Sequence, residues 1–137
     1  FVLGKSKIYR QGSDLTLISS GGILEEAISA ASGLKSLGLD VKVVGIHTIK
    51  PIDKEEIIRS AKETGGLVVI EEHNKDGGLG SAVSEVCMDA GVMPKKFLRI
   101  GLDNMYSSIV GSQQHLRSVY QMDSVSIIEQ VKKLIES

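Results

Sequence analysis

Four short apolar runs, around Leu15 to Ile18, Val41 to Ile46, Leu67 to Ile70 and Phe97 to Ile100, are rich in β-branched residues and flanked by glycine or turn-forming residues. Runs of this length predict strands covered on both faces. Between them, apolar residues recur at helical spacing: Leu24, Ala27, Ile28, Ala31 and Leu34, then Ile57, Ile58 and Ala61, then Val83, Val86, Cys87 and Ala90. Strands alternating with helices predict right-handed βαβ units and a mostly parallel sheet. Asp53 with Glu56 reads as a D-x-x-E capping box at the start of the second helix, and Gly38 and Gly91 stand where C-terminal caps belong.

A further strand near Ile8 to Arg10 precedes Gly12-Ser13-Asp14. So short a loop joins neighbouring strands only as a hairpin, which predicts a first strand antiparallel to the rest. Near the other end, Asp123 is expected to cap a last helix whose stripe is Ile127, Ile128, Val131, Leu134 and Ile135, with Lys132 and Lys133 near its negative end. From Met105 to Gln121 the pattern is weak and suggests a short helix with loops.

At 137 residues and 42% hydrophobic, the chain is expected to form a single domain over residues 1–137 with one core. It opens on Phe1, and Phe1 to Lys5 resembles the tail of an earlier element, so an excised piece of a longer chain is expected. The 16 basic and 17 acidic side chains nearly cancel, and long like-charge runs are missing. That balance points away from nucleic acid and acidic membrane and towards small molecules or protein surfaces. No apolar stretch approaches the roughly 18 residues of a membrane span, and a cytoplasmic location is the expectation. The single cysteine, Cys87, falls in a helical pattern with Val83, Val86 and Ala90 and reads as a buried structural thiol.

Polar residues gather where strands end: Ser19 to Gly22, His47-Thr48, Glu71-Glu72-His73 and Asp103-Asn104. In a parallel sheet these share the carboxyl edge, where ligand crevices form. Neighbours on a strand face opposite ways, so the pair suited to cooperate is Glu71 with His73 rather than Glu72 with His73. The sequence offers no nucleophile, second base or metal set to complete an acid-base constellation, and three His without clustered Cys argue against zinc. Gly77-Gly78-Leu79-Gly80-Ser81 opens a helix after a strand, which suits phosphate, but Gly78-x-Gly80-x-x-Val83 lacks the third glycine of a dinucleotide fingerprint.

Two patches, His47-Thr48-Ile49-Lys50-Pro51-Ile52-Asp53 and Glu71-Glu72-His73 with Gly77-Gly78-Leu79-Gly80, resemble the C-terminal domain of transketolases within the thiamine-diphosphate transketolase-like family. The likeness begins near Gly4-Lys5, runs through Gly12 to Ile18 and fades from Met105 to Gln121. It implies a three-layer α/β/α domain with a mixed five-stranded sheet, mostly parallel, first strand antiparallel. It also implies thiamine diphosphate and Mg2+ (or Ca2+) in the full enzyme, with none bound by this domain alone. No catalytic, cofactor-binding or metal-binding residue transfers onto this chain. The residues expected to make interface or anion contacts are His47, Glu71, Glu72, His73, Gly77, Gly78, Gly80 and Ser81.

The expected role is therefore dimer contact and docking on the catalytic domains of an enzyme that transfers two-carbon ketol units between sugar phosphates. Its partners would be the N-terminal catalytic domains or subunit and a homodimer partner, and the chain alone would be inactive. Within the family, 1-deoxyxylulose-5-phosphate synthase and the beta subunits of 2-oxo acid dehydrogenases are alternatives. From other classes come a free-standing nucleotide or anion-binding module and a pure interaction domain.

Overall fold

The computed structural model describes residues 5–47, 51–72, 78–102 and 113–137. In chain order the elements are β1 (Lys7–Arg10), β2 (Leu15–Ser19), a 3-10 turn over Gly21–Ile23, α1 (Leu24–Ser36), β3 (Val41–Gly45), α2 (Lys54–Glu63), β4 (Leu67–Glu72), α3 (Gly78–Ala90), β5 (Phe97–Leu102) and α4 (Gln113–Glu136). The strands make one five-stranded sheet in the order β1-β3-β2-β4-β5. β2 pairs in parallel with β3 and β4, β4 with β5, and only β1 runs antiparallel, along β3.

Every residue of β2 and β3 is buried, which is why their sequences show no polar alternation. Leu15, Leu17, Val41, Val43, Val68, Ile70 and Ile100 face α1 and α4, where Ala27, Ala30, Ala31, Leu34, Ile127 and Val131 meet them. Ile18, Val44, Leu67 and Val69 face α2 and α3, against Ile57, Ala61, Leu79, Val83, Val86 and Cys87. The result is three layers, α/β/α, with a core on each side of the sheet.

α1 and α3 end alike. Gly38 (φ +88°) and Gly91 (φ +68°) take the left-handed conformation. After each, the chain closes a Schellman pair of bonds, Leu39 N–H to Leu34 C=O and Gly38 N–H to Lys35 C=O, then Val92 N–H to Cys87 C=O and Gly91 N–H to Met88 C=O.

The structure departs from the sequence expectations in three places. β1 is antiparallel but forms no hairpin with β2, because β3 lies between them. The link passes the end of β3, where Ser13 and Asp14 donate their amides to Asp40 C=O and the Asp40 amide donates to Asp14 Oδ2 at 2.6 Å. Gly12 makes that passage feasible, since a Cβ there would fall on the backbone of Val41 and Lys42. Second, Asp123 lies inside a helix rather than at its start: α4 runs unbroken from Gln113, so the segment from Gln113 to Gln121 is helical. No Gly or Pro interrupts the sequence from Gln113 onward to stop it. Third, the capping box is half made. Asp53 accepts from the Glu56 amide at 3.3 Å, while the Glu56 side chain turns to Lys42.

Candidate functional site

β2 to β5 run parallel, so the ends of β2, β3, β4 and β5 do share one edge. β2 connects outward to β3 while β4 lies on its other side, so the chain changes direction across the sheet between β2 and β4. Ser19 closes β2 there, buried, with its hydroxyl unpartnered among the described residues. Ser20, which precedes the 3-10 turn, makes no side-chain capping bond.

The polar residues along this edge form two separate groups. On the β3 side, the exposed ring of His47 meets Tyr9 of β1, with Oη 3.2 Å from Nε2 and the rings edge-on at 6.3 Å between centroids. Asp53, six residues on, accepts from the Ser6 amide at 2.8 Å and the Ser6 hydroxyl at 2.9 Å. Burial tends to raise the Asp53 carboxyl, but the Ser6 amide and hydroxyl, the Glu56 amide and the Lys5 charge outweigh it and hold the group below its ordinary value.

On the β4 side, Glu71 lies within β4 and accepts from Arg99 Nε at 3.3 Å and Nη2 at 3.2 Å. Arg99 stands opposite Val69 in the pairing of β5 with β4, and the ion pair lies beneath the start of α3. Gly80 marks the contact: a Cβ there would collide with the guanidinium of Arg99 and come within 2.5 Å of Glu71 Oε2. Gly78 is the first residue of α3 and Ser81 is exposed on it. Glu72 ends β4. His73 and Gly77 lie outside the described residues, as do Thr48 to Lys50 and the whole Asp103-Asn104 pair.

The expected residues that are described are thus brought to one edge, with His47 apart from those on β4 and α3. β2 separates β3 from β4, a gap of about 10 Å at the usual strand spacing. Among the described residues, His47 is engaged with Tyr9 and Glu71 with Arg99, while the expected pairing of Glu71 with His73 lies outside the described residues. Among the described residues, no group of three or more His, Cys, Asp or Glu is placed to hold a metal ion. A divalent metal finds no donor set there. Cys87 is buried, which pushes its thiol above the ordinary range, away from nucleophilic use.

Sequence reasoning missed Tyr9, Ser6, Arg99 and the buried pair of Lys42 with Glu56, 2.7 Å apart. Two of these left a signal. A cation inside an otherwise apolar strand, as in Val41-Lys42-Val43 and Leu98-Arg99-Ile100, needs a nearby carboxylate.

The family described as transketolase, C-terminal domain, matches residues 4–133, so the chain belongs to that family. A chain described as a transketolase C-terminal section, from Methanocaldococcus jannaschii, is 40% identical over 131 residues, covering 96% of this chain and 40% of the relative. The 6-deoxy-6-sulfo-D-fructose transketolase subunit SqwH of a Clostridium species is 33% identical, covering 99% of this chain and 41% of the relative. A 1-deoxy-D-xylulose-5-phosphate synthase of Geobacter metallireducens is 34% identical, covering 98% of this chain but 21% of the relative. Among solved structures, a split-gene transketolase described as an inactive beta4 tetramer superposes with a TM-score of 0.78 at 30% identity, over 99% of this chain and 44% of that one. The chain spans about two-fifths of its transketolase relatives, and a smaller part of the synthase.

Proposed function

We propose that this transketolase C-terminal domain serves a thiamine-diphosphate-dependent enzyme that transfers two-carbon ketol units between sugar phosphates, by docking on its catalytic portion and contributing subunit contact. Membership of the family over residues 4–133 carries the reading. The geometry agrees with it: Asp53, Glu71 and the His47 ring are held by structural neighbours, Ser6, Arg99 and Tyr9. The SqwH relative is a transketolase subunit, which supports ketol transfer in the complete enzyme. The structural relative described as an inactive beta4 tetramer supports inactivity of this chain without its catalytic partner.

The test is reconstitution. The chain alone should show no thiamine-dependent ketol transfer, and mixing it with the catalytic portion of its enzyme should yield transfer. Failure of the mixture would overturn the assignment. Formation of 1-deoxyxylulose 5-phosphate instead would move the domain to the synthase branch, which the Geobacter relative favours.

A rival reading, a nucleotide or anion module, draws on Ser20, whose side chain makes no capping bond, and on the buried Ser19 hydroxyl, unpartnered among the described residues. It requires nucleotides at ~100 Kd to stabilise the chain by about 2.7 kcal/mol, so an unchanged melting temperature at millimolar nucleotide would remove it.

A further inference from the structure

We propose that β1 together with Ser6, which precedes it, is a two-sided clamp on His47 and Asp53, the described ends of the His47–Asp53 motif, with Tyr9 the positioning residue for His47 and Ser6 the positioning residue for Asp53. The inference rests on the reading above only in giving that motif a part in docking.

The pairing of β1 with β3 is irregular. Lys7 lies opposite Gly45, Ile8 opposite Val44 and Arg10 opposite Val43, so Tyr9 is an extra residue with no opposite number. A bulge of this kind re-aims the side chain it carries. Here the ring is turned onto Gly45, where a Cβ would stand 2.5 Å from Tyr9 Cε2 and 3.2 Å from Leu24 Cδ2. Gly45 thus provides the seat, and the seated ring presents its hydroxyl to His47 Nε2 at 3.2 Å. Lys7 Nζ lies 5.0 Å from the centroid of the same ring and favours its position.

Three residues earlier, the chain grips the other end of the motif. Ser6 donates both its amide and its hydroxyl to Asp53 Oδ2, while Oδ1 of the same carboxylate accepts from the first turn of α2. Lys5 adds an exposed ion pair to Glu55 at 3.8 Å. The four residues Ser6 to Tyr9 therefore hold both described ends of the motif, across 38 and 47 residues of sequence.

These contacts differ from ordinary core packing in what they respond to. β1 has one neighbour in the sheet, and Tyr9 is only partly buried. Any displacement of the chain ahead of Ser6 acts on the Tyr9 and Ser6 bonds before it acts on the two cores. The position of the segment entering the domain is in this way coupled to the position of His47 and to the N-terminus of α2.

The test is residue-resolved hydrogen exchange and histidine ring NMR on the full chain. Tyr9→Phe removes the hydroxyl and keeps the ring; it should shift the His47 ring resonances and speed exchange next to His47 roughly five-fold, the loss of about one net hydrogen bond. Ser6→Ala should speed exchange in the first turn of α2 by a similar factor, and Ser6→Thr should restore it. Amides of β2 and β4 should be unaffected. Unchanged exchange at both places, or equal acceleration throughout, would overturn the clamp. Repeating the variants in the assembled enzyme separates the two ideas: local effects with unaltered association would sink the docking role of the motif and leave the clamp standing.

Discussion

Gly80 and Gly12 are both pressed by neighbours, yet a methyl group meets different obstacles at the two positions. At Gly80 it meets the guanidinium of Arg99 and the carboxylate end of Glu71, both ends of flexible side chains, and Arg99 is 43% exposed. Arg99 can swing into water at the loss of a partly exposed ion pair, about 1 kcal/mol at most, and Ala regains about 1 kcal/mol of helix propensity. Gly80→Ala should therefore leave urea stability within about 1 kcal/mol of the parent. At Gly12 the obstacle is the backbone of Val41 and Lys42, which cannot step aside, so Gly12→Ala should cost about 1–3 kcal/mol. Equal midpoints for the two variants would contradict this. Sequence alone offered Gly80 as an interface or anion contact because a glycine at a helix start is ambiguous between binding and close packing; the packing on Arg99 was not legible because Arg99 sits 19 residues on in β5. Asp53 gives a prediction in pH. Its native carboxyl is held below the ordinary 3.8, so the native state binds that proton less readily than the unfolded chain. The stabilisation is complete above the ordinary value and is lost as pH falls through it towards the native value. Between about pH 5 and pH 3 the melting temperature should drop more steeply for the parent than for Asp53→Asn. Parallel profiles would show that Ser6 does not favour the charged form.

α2 is fixed to the sheet by polar contacts as well as by Ile57 and Ala61. Glu56 Oε2 accepts from Lys42 Nζ at 2.7 Å and from the Ser60 hydroxyl at 2.8 Å, while Oε1 accepts from Arg59 at 2.9 Å. Lys42 and Glu56 are 4% and 5% exposed, so neither charge can turn to water for help. The two halves of the pair are not equivalent. Glu56→Gln leaves the buried Lys42 ammonium without a counter-charge and should cost about 3–5 kcal/mol. Lys42→Met leaves Glu56 with Arg59 and Ser60 and should cost clearly less. Chemical denaturation of both variants checks the order, and the reverse order would mean that Arg59 and Ser60 contribute little. The sequence made most elements legible because a strand buried on both faces is mostly apolar, with any polar residue paired inside, and β2, β3, β4 and β5 begin where their apolar runs do. Ends were harder. The Gly38 and Gly91 caps were readable since a left-handed residue favours glycine, whereas Asp123 was misleading: an Asp is tolerated inside a helix when neither Gly nor Pro stops the chain. Glu56 was read as half of a capping box because helix spacing reveals Asp53 but not Lys42, which lies 14 residues back in β3.

The arrangement of the whole sheet was the part least accessible to local reasoning. A link as short as Gln11-Gly12-Ser13-Asp14 suggests a hairpin, but the same few residues can cross one strand if a glycine lets them pass its end, and β3 occupies the place that a hairpin would give to β2. The consequence reaches the candidate site. With β2 between β3 and β4, His47 and Glu71 belong to different neighbourhoods, one organised by β1 and the other by β5. The order also gives β1 a protective role. Val41, Val43 and Val44 of β3 are fully buried, and among the described residues β1 is the strand that covers the outer edge of β3. In a chain starting at Gln11 that edge becomes an open row of backbone donors and acceptors on a flat apolar strand, the condition under which sheets pair with other chains. The two Ser6 bonds to Asp53 go with it, at about 1 kcal/mol each. The shortened chain should keep the helical signature of α1 and α4, because their core against the far face of the sheet does not depend on β1 for its main contacts. It should melt at lower temperature than the parent, and light scattering should show association that grows with concentration. A shortened chain that remains monomeric and melts with the parent would mean that β1 neither stabilises the sheet nor guards its edge, and that the Tyr9 and Ser6 contacts hold the segment to the domain rather than the domain to the segment.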